Sequence, residues 1–146
     1  LKKNRISDGA ATKKDILKLI NKMQKSMSAI KKLEKKNSLQ MKKRFQRYKK
    51  ELDIKGKDLN MTEIFTTLGK SDINEEVVRF DSHLGLVTNL IKSKNNIGKK
   101  LDFYTQEMLR EANTMSSKAL ISEIKNEAVD MKSSIERMKE HAQNIE

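Results

Sequence analysis

Apolar residues in this chain recur at alternating intervals of four and three, and that spacing restricts the folds open to it more than any other feature does. Ile16, Ile20, Met23, Met27 and Ile30 follow it in the first part, and Ile121, Ile124, Ala128, Met131, Ile135, Met138, Ala142 and Ile145 follow it in the last. A helix gathers such positions into one narrow stripe, the seam of a coiled coil or bundle. A strand needs alternation by two, and none survives beyond a few residues. No proline interrupts the 146 residues, and the abundant Lys, Glu and Met lose little side-chain freedom in a helix. The expected fold class is therefore all-α. With 36% charged against 36% hydrophobic residues and no Trp, the chain is short of material for a thick core, and narrow seams between elongated helices fit it better.

A first helix is predicted from about Ser7 or Asp8 to the region of Glu34, and Asn37-Ser38 reads as a turn and cap. Met41, Phe45, Tyr48 and Leu52 then repeat the spacing on a second helix, so residues 1–57 are expected as a long basic antiparallel hairpin. Gly56 marks a break, and Asn60 with Glu63 resembles a capping box opening a short helix that ends near Gly69. Residues 58–146 are expected as a small helical bundle with coiled-coil-like seams. In it, Asp72 sits as an N-cap with Glu75 three residues on, followed by a stripe of Ile73, Val77, Phe80, Leu84, Val87 and Ile91. Asn95-Asn96-Ile97-Gly98 separates this helix from one over Gly98 to Lys118, whose apolar stripe is Leu101, Tyr104, Met108, Ala112 and Met115. Extrapolated, that stripe leaves Ile121 on nearly the opposite side, so a break or bend near Ser116 to Leu120 is expected.

Charge is unevenly placed. The net charge is +12, yet residues 1–57 hold 20 Lys or Arg against 5 Asp or Glu, and the remainder holds 12 against 15. A polyanion partner accounts for such an excess, because neutralised phosphates release condensed counterions; a solvated coiled-coil exterior accounts for it as well. Few aromatics interleave with the lysines, so base stacking has little support. Without cysteine, disulfides and thiolate metal sites are excluded, and the composition suits a reducing cytoplasm. No apolar run is long enough to span a bilayer and no signal-peptide core is present, so the chain reads as soluble and no membrane partner is expected. There is no HExxH, no close His pair and no Gly-rich phosphate loop; a Ser-His-acid triad from Ser82 or Ser117 stays open, although nothing suggests a nucleophile elbow.

Two helices carry residue types fit for chemistry. After Asp72, Glu76, Arg79 and His83 lie along one flank of the apolar stripe, within about 60° of one another. They can meet a common ligand, with His83 moving a proton or binding a metal, Glu76 serving as metal ligand or base, and Arg79 holding phosphate. They also fit a network that only satisfies charges at the helix edge. On the next helix, Asp102, Gln106, Arg110, Asn113 and Ser117 lie opposite the apolar stripe, and Glu107, Glu111, Thr114 and Lys118 run along its edge. Such rows bind phosphate or metal, or pair with a neighbouring helix. His141 is expected to face solvent.

The order of these residues also carries a resemblance. Asp72-Ile73-Asn74-Glu75-Glu76, Arg79 and Ser82-His83 are followed by Gly98-Lys99-Lys100-Leu101-Asp102-Phe103, Gln106-Glu107 and Arg110-Glu111-Ala112-Asn113-Thr114. Ser117-Lys118 and a closing Gln143-Asn144-Ile145-Glu146 complete the set. From about Ser71 onward the chain resembles the YicC-like family of bacterial endoribonucleases; the first seventy residues resemble it only through Arg5, Gly9, Asp15 and a helical texture. The resemblance implies a metal-assisted endoribonuclease region that cleaves RNA phosphodiester bonds, within a longer cytoplasmic protein that has a preceding domain. Glu76, His83, Glu107 and Glu111 would be its catalytic groups and the ligands of a divalent Mn or Mg, and Arg79, Arg110, Lys118, Lys99 and Lys100 would approach RNA phosphates. It also implies a ring-like homo-oligomer, plausibly a hexamer, in keeping with long one-sided seams that a monomer would struggle to cover. Leu109 and Ile121 depart from the family pattern by replacing polar residues, which leaves Asn113 and Glu123 with less support as site residues. Other readings are a non-catalytic helical adaptor that binds RNA or protein, and a purely structural coiled-coil module.

Overall fold

The structure, a computed structural model, describes residues 2–54, 66, 69–93 and 97–144, with the side chains of 2–12 and 54 excepted. Four helices make up the described chain: α1 (Lys2–Ile54), α2 (Asn74–Lys92), α3 (Gly98–Lys118) and α4 (Ser122–Ala142). Each packs on its chain neighbours, and α4 closes back on α1, so the four form a ring around one shared core. The all-α expectation holds, and no strand occurs among the described residues.

The stripes read from the spacing line that core. Ile16, Ile20, Met23, Met27 and Ile30 from α1 meet Ile73, Val77, Phe80, Leu84, Val87 and Ile91 with α2. Leu101, Met108, Ala112 and Met115 come from α3, and Ile121, Ile124, Ala128, Met131, Ile135, Met138 and Ala142 come with α4. Ile145 lies outside the described residues. These stripes cover one another within a single chain, while the seam of Met41, Phe45, Tyr48 and Leu52 on the far half of the first helix stays partly exposed.

The hairpin expected over residues 1–57 is not formed. α1 is one uninterrupted helix of 53 residues that begins at Lys2 rather than near Ser7, about 80 Å long at 1.5 Å per residue. Neither Asn37 nor Ser38 carries the steric penalty of proline, and Asn costs only a fraction of a kcal/mol inside a helix. Asn37 is used otherwise. It is 2% exposed; its Nδ2 donates to the Ser71 carbonyl at 3.0 Å, and its Oδ1 accepts the Leu120 N–H at 2.8 Å. One amide thus ties α1 both to the approach to α2 and to the α3–α4 corner. Beyond it burial fades: Met41, Phe45 and Leu52 are half-buried and Tyr48 is exposed.

The α3–α4 corner falls where a break was expected. Ala119 and Ile121 take extended backbone, with ψ of 140° and 122°, and both side chains are buried there. At the start of α2 the expected capping box is not made, and the cap falls at Ile73 rather than Asp72, with no side-chain cap hydrogen bond. Asp72 Oδ1 accepts the Asn74 N–H at 3.0 Å, while the Asp72 N–H goes to the Gly69 carbonyl and Glu75 turns to Arg79. The proposed break at Gly56 and the Asn60–Glu63 box lie outside the described residues.

Candidate functional site

α2 and α3 run antiparallel, and their facing edges are laddered by polar side chains. Glu76 stands opposite Lys118, Arg79 opposite Glu111, and His83 opposite Tyr104.

Glu76 is the most enclosed charge in this groove, with 3% of its side chain exposed. Lys118 Nζ donates to Glu76 Oε1 at 2.7 Å, and Arg79 Nη2 approaches the same oxygen at 3.8 Å. Glu76 Oε2 is buried with no partner. Arg79 Nε donates to Oε1 of the buried Glu111 at 3.1 Å, and Arg79 Nη1 donates to the exposed Glu75 Oε2 at 3.5 Å. The Glu111 charge and hydrogen bond raise the Arg79 pKa against a lowering by desolvation, and Glu75 and Glu76 add to the rise. The guanidinium is fixed as a cation. Its side chain stays half exposed, and each of its three nitrogens has a carboxylate within 4 Å. Glu75 and Glu76 in the first turn of α2 and Lys118 in the last turn of α3 also suit the helix dipoles.

His83 Nδ1 lies 2.8 Å from the Arg79 carbonyl. A carbonyl can only accept, so Nδ1 carries the proton and donates, and in the neutral ring Nε2 is left as a proton acceptor. The Tyr104 ring tilts beside the imidazole, centroids 6.1 Å apart.

The structure therefore gathers Glu76, Arg79, Glu111 and Lys118 and sets His83 one turn further along α2. It does not gather the rest. Glu107 is half-buried and makes none of these bonds, Arg110 is exposed, and Lys99 and Lys100 are exposed at the start of α3, about 27 Å along the helix from Lys118. Asn113 and Glu123 are exposed and outside the cluster. Leu109 packs against the core and Ile121 is buried in it, so packing accounts for both departures from the family pattern. His141 is half-buried rather than solvent-facing. Sequence reasoning missed Glu75 as a partner of Arg79, although their spacing of four shows it, and missed Asn37, which no local pattern marks.

The residues assigned to Mn or Mg do not fit a metal within this chain. Among the described residues no three His, Cys, Asp or Glu side chains are grouped to hold one, and Glu76 and Glu111 already have Lys118 and Arg79 as counter-ions. The same pairing engages Arg79 and Lys118, two of the five cations assigned to phosphate, while Arg110, Lys99 and Lys100 are exposed away from the cluster.

Fold and site together define a basic, all-α module with four described helices and an ion-paired, histidine-flanked groove between α2 and α3; no described helix is long and apolar enough to cross a membrane. Residues 16–146 match the family described as Endoribonuclease YicC-like, C-terminal, and the chain belongs to that family. It is 49% identical over 77 residues, 53% of this chain and 26% of the relative, to a protein of Clostridioides difficile (strain 630) named probable endoribonuclease YicC. A protein of the same name from Haemophilus influenzae (strain ATCC 51907 / DSM 11121 / KW20 / Rd) is 43% identical over 75 residues, 51% of this chain and 26% of the relative. The matched stretch is thus about a quarter of the length of these curated relatives.

Proposed function

We propose that this chain is the C-terminal region of an endoribonuclease, and that His83 is its general base. The single observation that carries the reading is the hydrogen bond from His83 Nδ1 to the Arg79 carbonyl, which leaves Nε2 as the acceptor in the neutral ring. An RNA strand in the α2–α3 groove would give its 2′-hydroxyl proton to Nε2 as the 2′-oxygen attacks the adjacent phosphorus. The P–O5′ bond breaks, a 2′,3′-cyclic phosphate and a 5′-hydroxyl form, and solvent returns a proton to the leaving oxygen. The half-exposed Arg79 guanidinium would offset the charge that grows on the phosphoryl oxygens, while Glu76, Glu111 and Lys118 act as positioning residues that hold it still. Assembly into a ring belongs to the same proposal and is measured by sedimentation of the whole protein.

The test uses the whole protein and an end-labelled single-stranded RNA, with Mn or Mg and with chelator. His83→Ala should lower cleavage by about 10²–10⁴-fold while leaving RNA affinity and melting temperature unchanged, and the products should carry cyclic phosphate ends. Undiminished turnover by His83→Ala removes the assignment. Products with 5′-phosphates refute the 2′-hydroxyl route, and a strict need for Mn or Mg would place the chemistry on ligands this chain does not gather alone.

A further inference from the structure

The excess positive charge of α1 is not spread evenly around the helix. Lys14, Lys18, Lys25, Lys32, Lys36, Lys43 and Lys50 are spaced by four or seven residues, which at 3.6 residues per turn places all seven within about 40° of one another. Every one of them is exposed. Within about 60° on either side of their mean direction, the stretch from Lys14 to Lys50 adds Lys22 and Arg47 and contains no Asp or Glu. The line runs for about 54 Å along a straight helix. It points away from the buried stripe of α1, and so away from the other three helices. Among the described residues the ion pair of α1 with another helix is Lys31 to Asp81, and Lys31 lies outside this line.

We propose that this outer face of α1 is a track that binds the phosphate backbone of RNA along its length, on a surface separate from the α2–α3 groove. This rests on the reading of the protein as one that acts on RNA and adds where the substrate is held. Repeated single cations without matching carboxylates suit a regular polyanion, whose bound counterions they displace. A membrane surface would want a large apolar face beside the lysines, and only Leu39 stands out exposed within the arc. Lysines without stacked aromatics give affinity without sequence preference. Since the groove lies between α2 and α3, holding and cutting are separable by mutation.

The experiment titrates a fluorescein-labelled single-stranded RNA with the His83→Ala protein at a series of salt concentrations, so that cleavage does not interfere. Lys18, Lys25, Lys32 and Lys43 are changed together to Gln in one variant, and Lys70, Lys92, Lys125 and Lys132 in a control. Loss of four phosphate contacts should flatten the slope of log affinity against log salt by about 3 and weaken binding near 0.1 M salt by about two to three orders of magnitude. The control should keep the parent slope, and circular dichroism should show both variants folded. Equal slopes in the two variants overturn the proposal. So does tighter binding of the parent protein to anionic vesicles or polyglutamate than to RNA at equal charge concentration. RNA that binds with the predicted slope but is never cut by the parent protein with His83 intact would sink the nuclease reading and leave the track standing.

Discussion

Lys118→Met probes the buried end of the α2–α3 ladder. The substitution keeps most of the aliphatic stem and removes the ammonium 2.7 Å from Glu76 Oε1. The carboxylate left behind is 3% exposed, its other oxygen already lacks a partner, and its remaining cation is Arg79 at 3.8 Å. Stripping one partner from a fully buried pair costs about 3–5 kcal/mol. Lys118 itself is a third exposed and Arg79 stays close, so the expected loss is smaller, about 2 kcal/mol. For a chain of this size that lowers the melting temperature by about 4–8 °C. The decisive comparison is with the double variant Glu76→Leu with Lys118→Met. Removing both charges lifts the desolvation cost that the single variant exposes, so the double variant should be more stable than Lys118→Met alone. Urea unfolding followed by circular dichroism measures both. If Lys118→Met loses less than about 0.5 kcal/mol, or if the two substitutions simply add, the pair behaves like a surface ion pair and the reasoning from burial fails.

Asn37→Ala leaves the Leu120 N–H and the Ser71 carbonyl without their partner inside the bundle; it should cost about 2–3 kcal/mol in chemical denaturation, and a loss near zero would show that the amide is not a tie. Burial and the nearby Asp72 raise the pKa of Glu34 above that of an ordinary carboxylate. The folded chain therefore holds this proton more tightly than the unfolded chain, and stability falls as pH rises from the unfolded value toward the raised one. Glu34→Gln should be more stable than the parent at pH 7, by no more than about 0.5 kcal/mol because the group is largely solvated, and the gain should vanish below about pH 4; a gain that persists there contradicts the assignment.

Residue spacing made the core legible. A stripe of Ile, Met and Ala at intervals of three and four has one burial solution on a helix, so spacing alone puts Ile124, Met131 and Met138 in the core, where they lie. The phase conflict between Leu101 and Ile121 likewise placed the α3–α4 corner. The hairpin failed because an Asn-Ser pair signals a turn only when its polar groups have no better use. Asn37 finds two partners 34 and 83 residues away, and no local pattern reports contacts at that separation. In the site, helical angles alone placed Glu76, Arg79 and His83 on one flank. They said nothing of how α3 is registered against it, so Glu107 and Glu111, one turn apart, could not be told from each other.

That ambiguity shows what the ion pairs accomplish. If α3 slid by one turn so that Glu107 took the place of Glu111, Arg79 would still find a carboxylate, and the Arg79 rung alone would not resist the slip. Glu76 would then face Thr114 in place of Lys118 and would carry a buried negative charge against a hydroxyl, at a cost of several kcal/mol. A slide the other way puts Arg79 opposite Thr114 or Met115, carries Lys118 one turn inward along α2, and leaves Glu76 facing the α3–α4 corner instead of an ammonium. Two rungs with unlike partners therefore admit one register, which is a better-attested role for buried charge than stability itself. The same register sets Tyr104 beside His83. The ion pair that fixes the register thus decides which α3 side chain meets the imidazole, whose own orientation is held from within α2 by the Arg79 carbonyl.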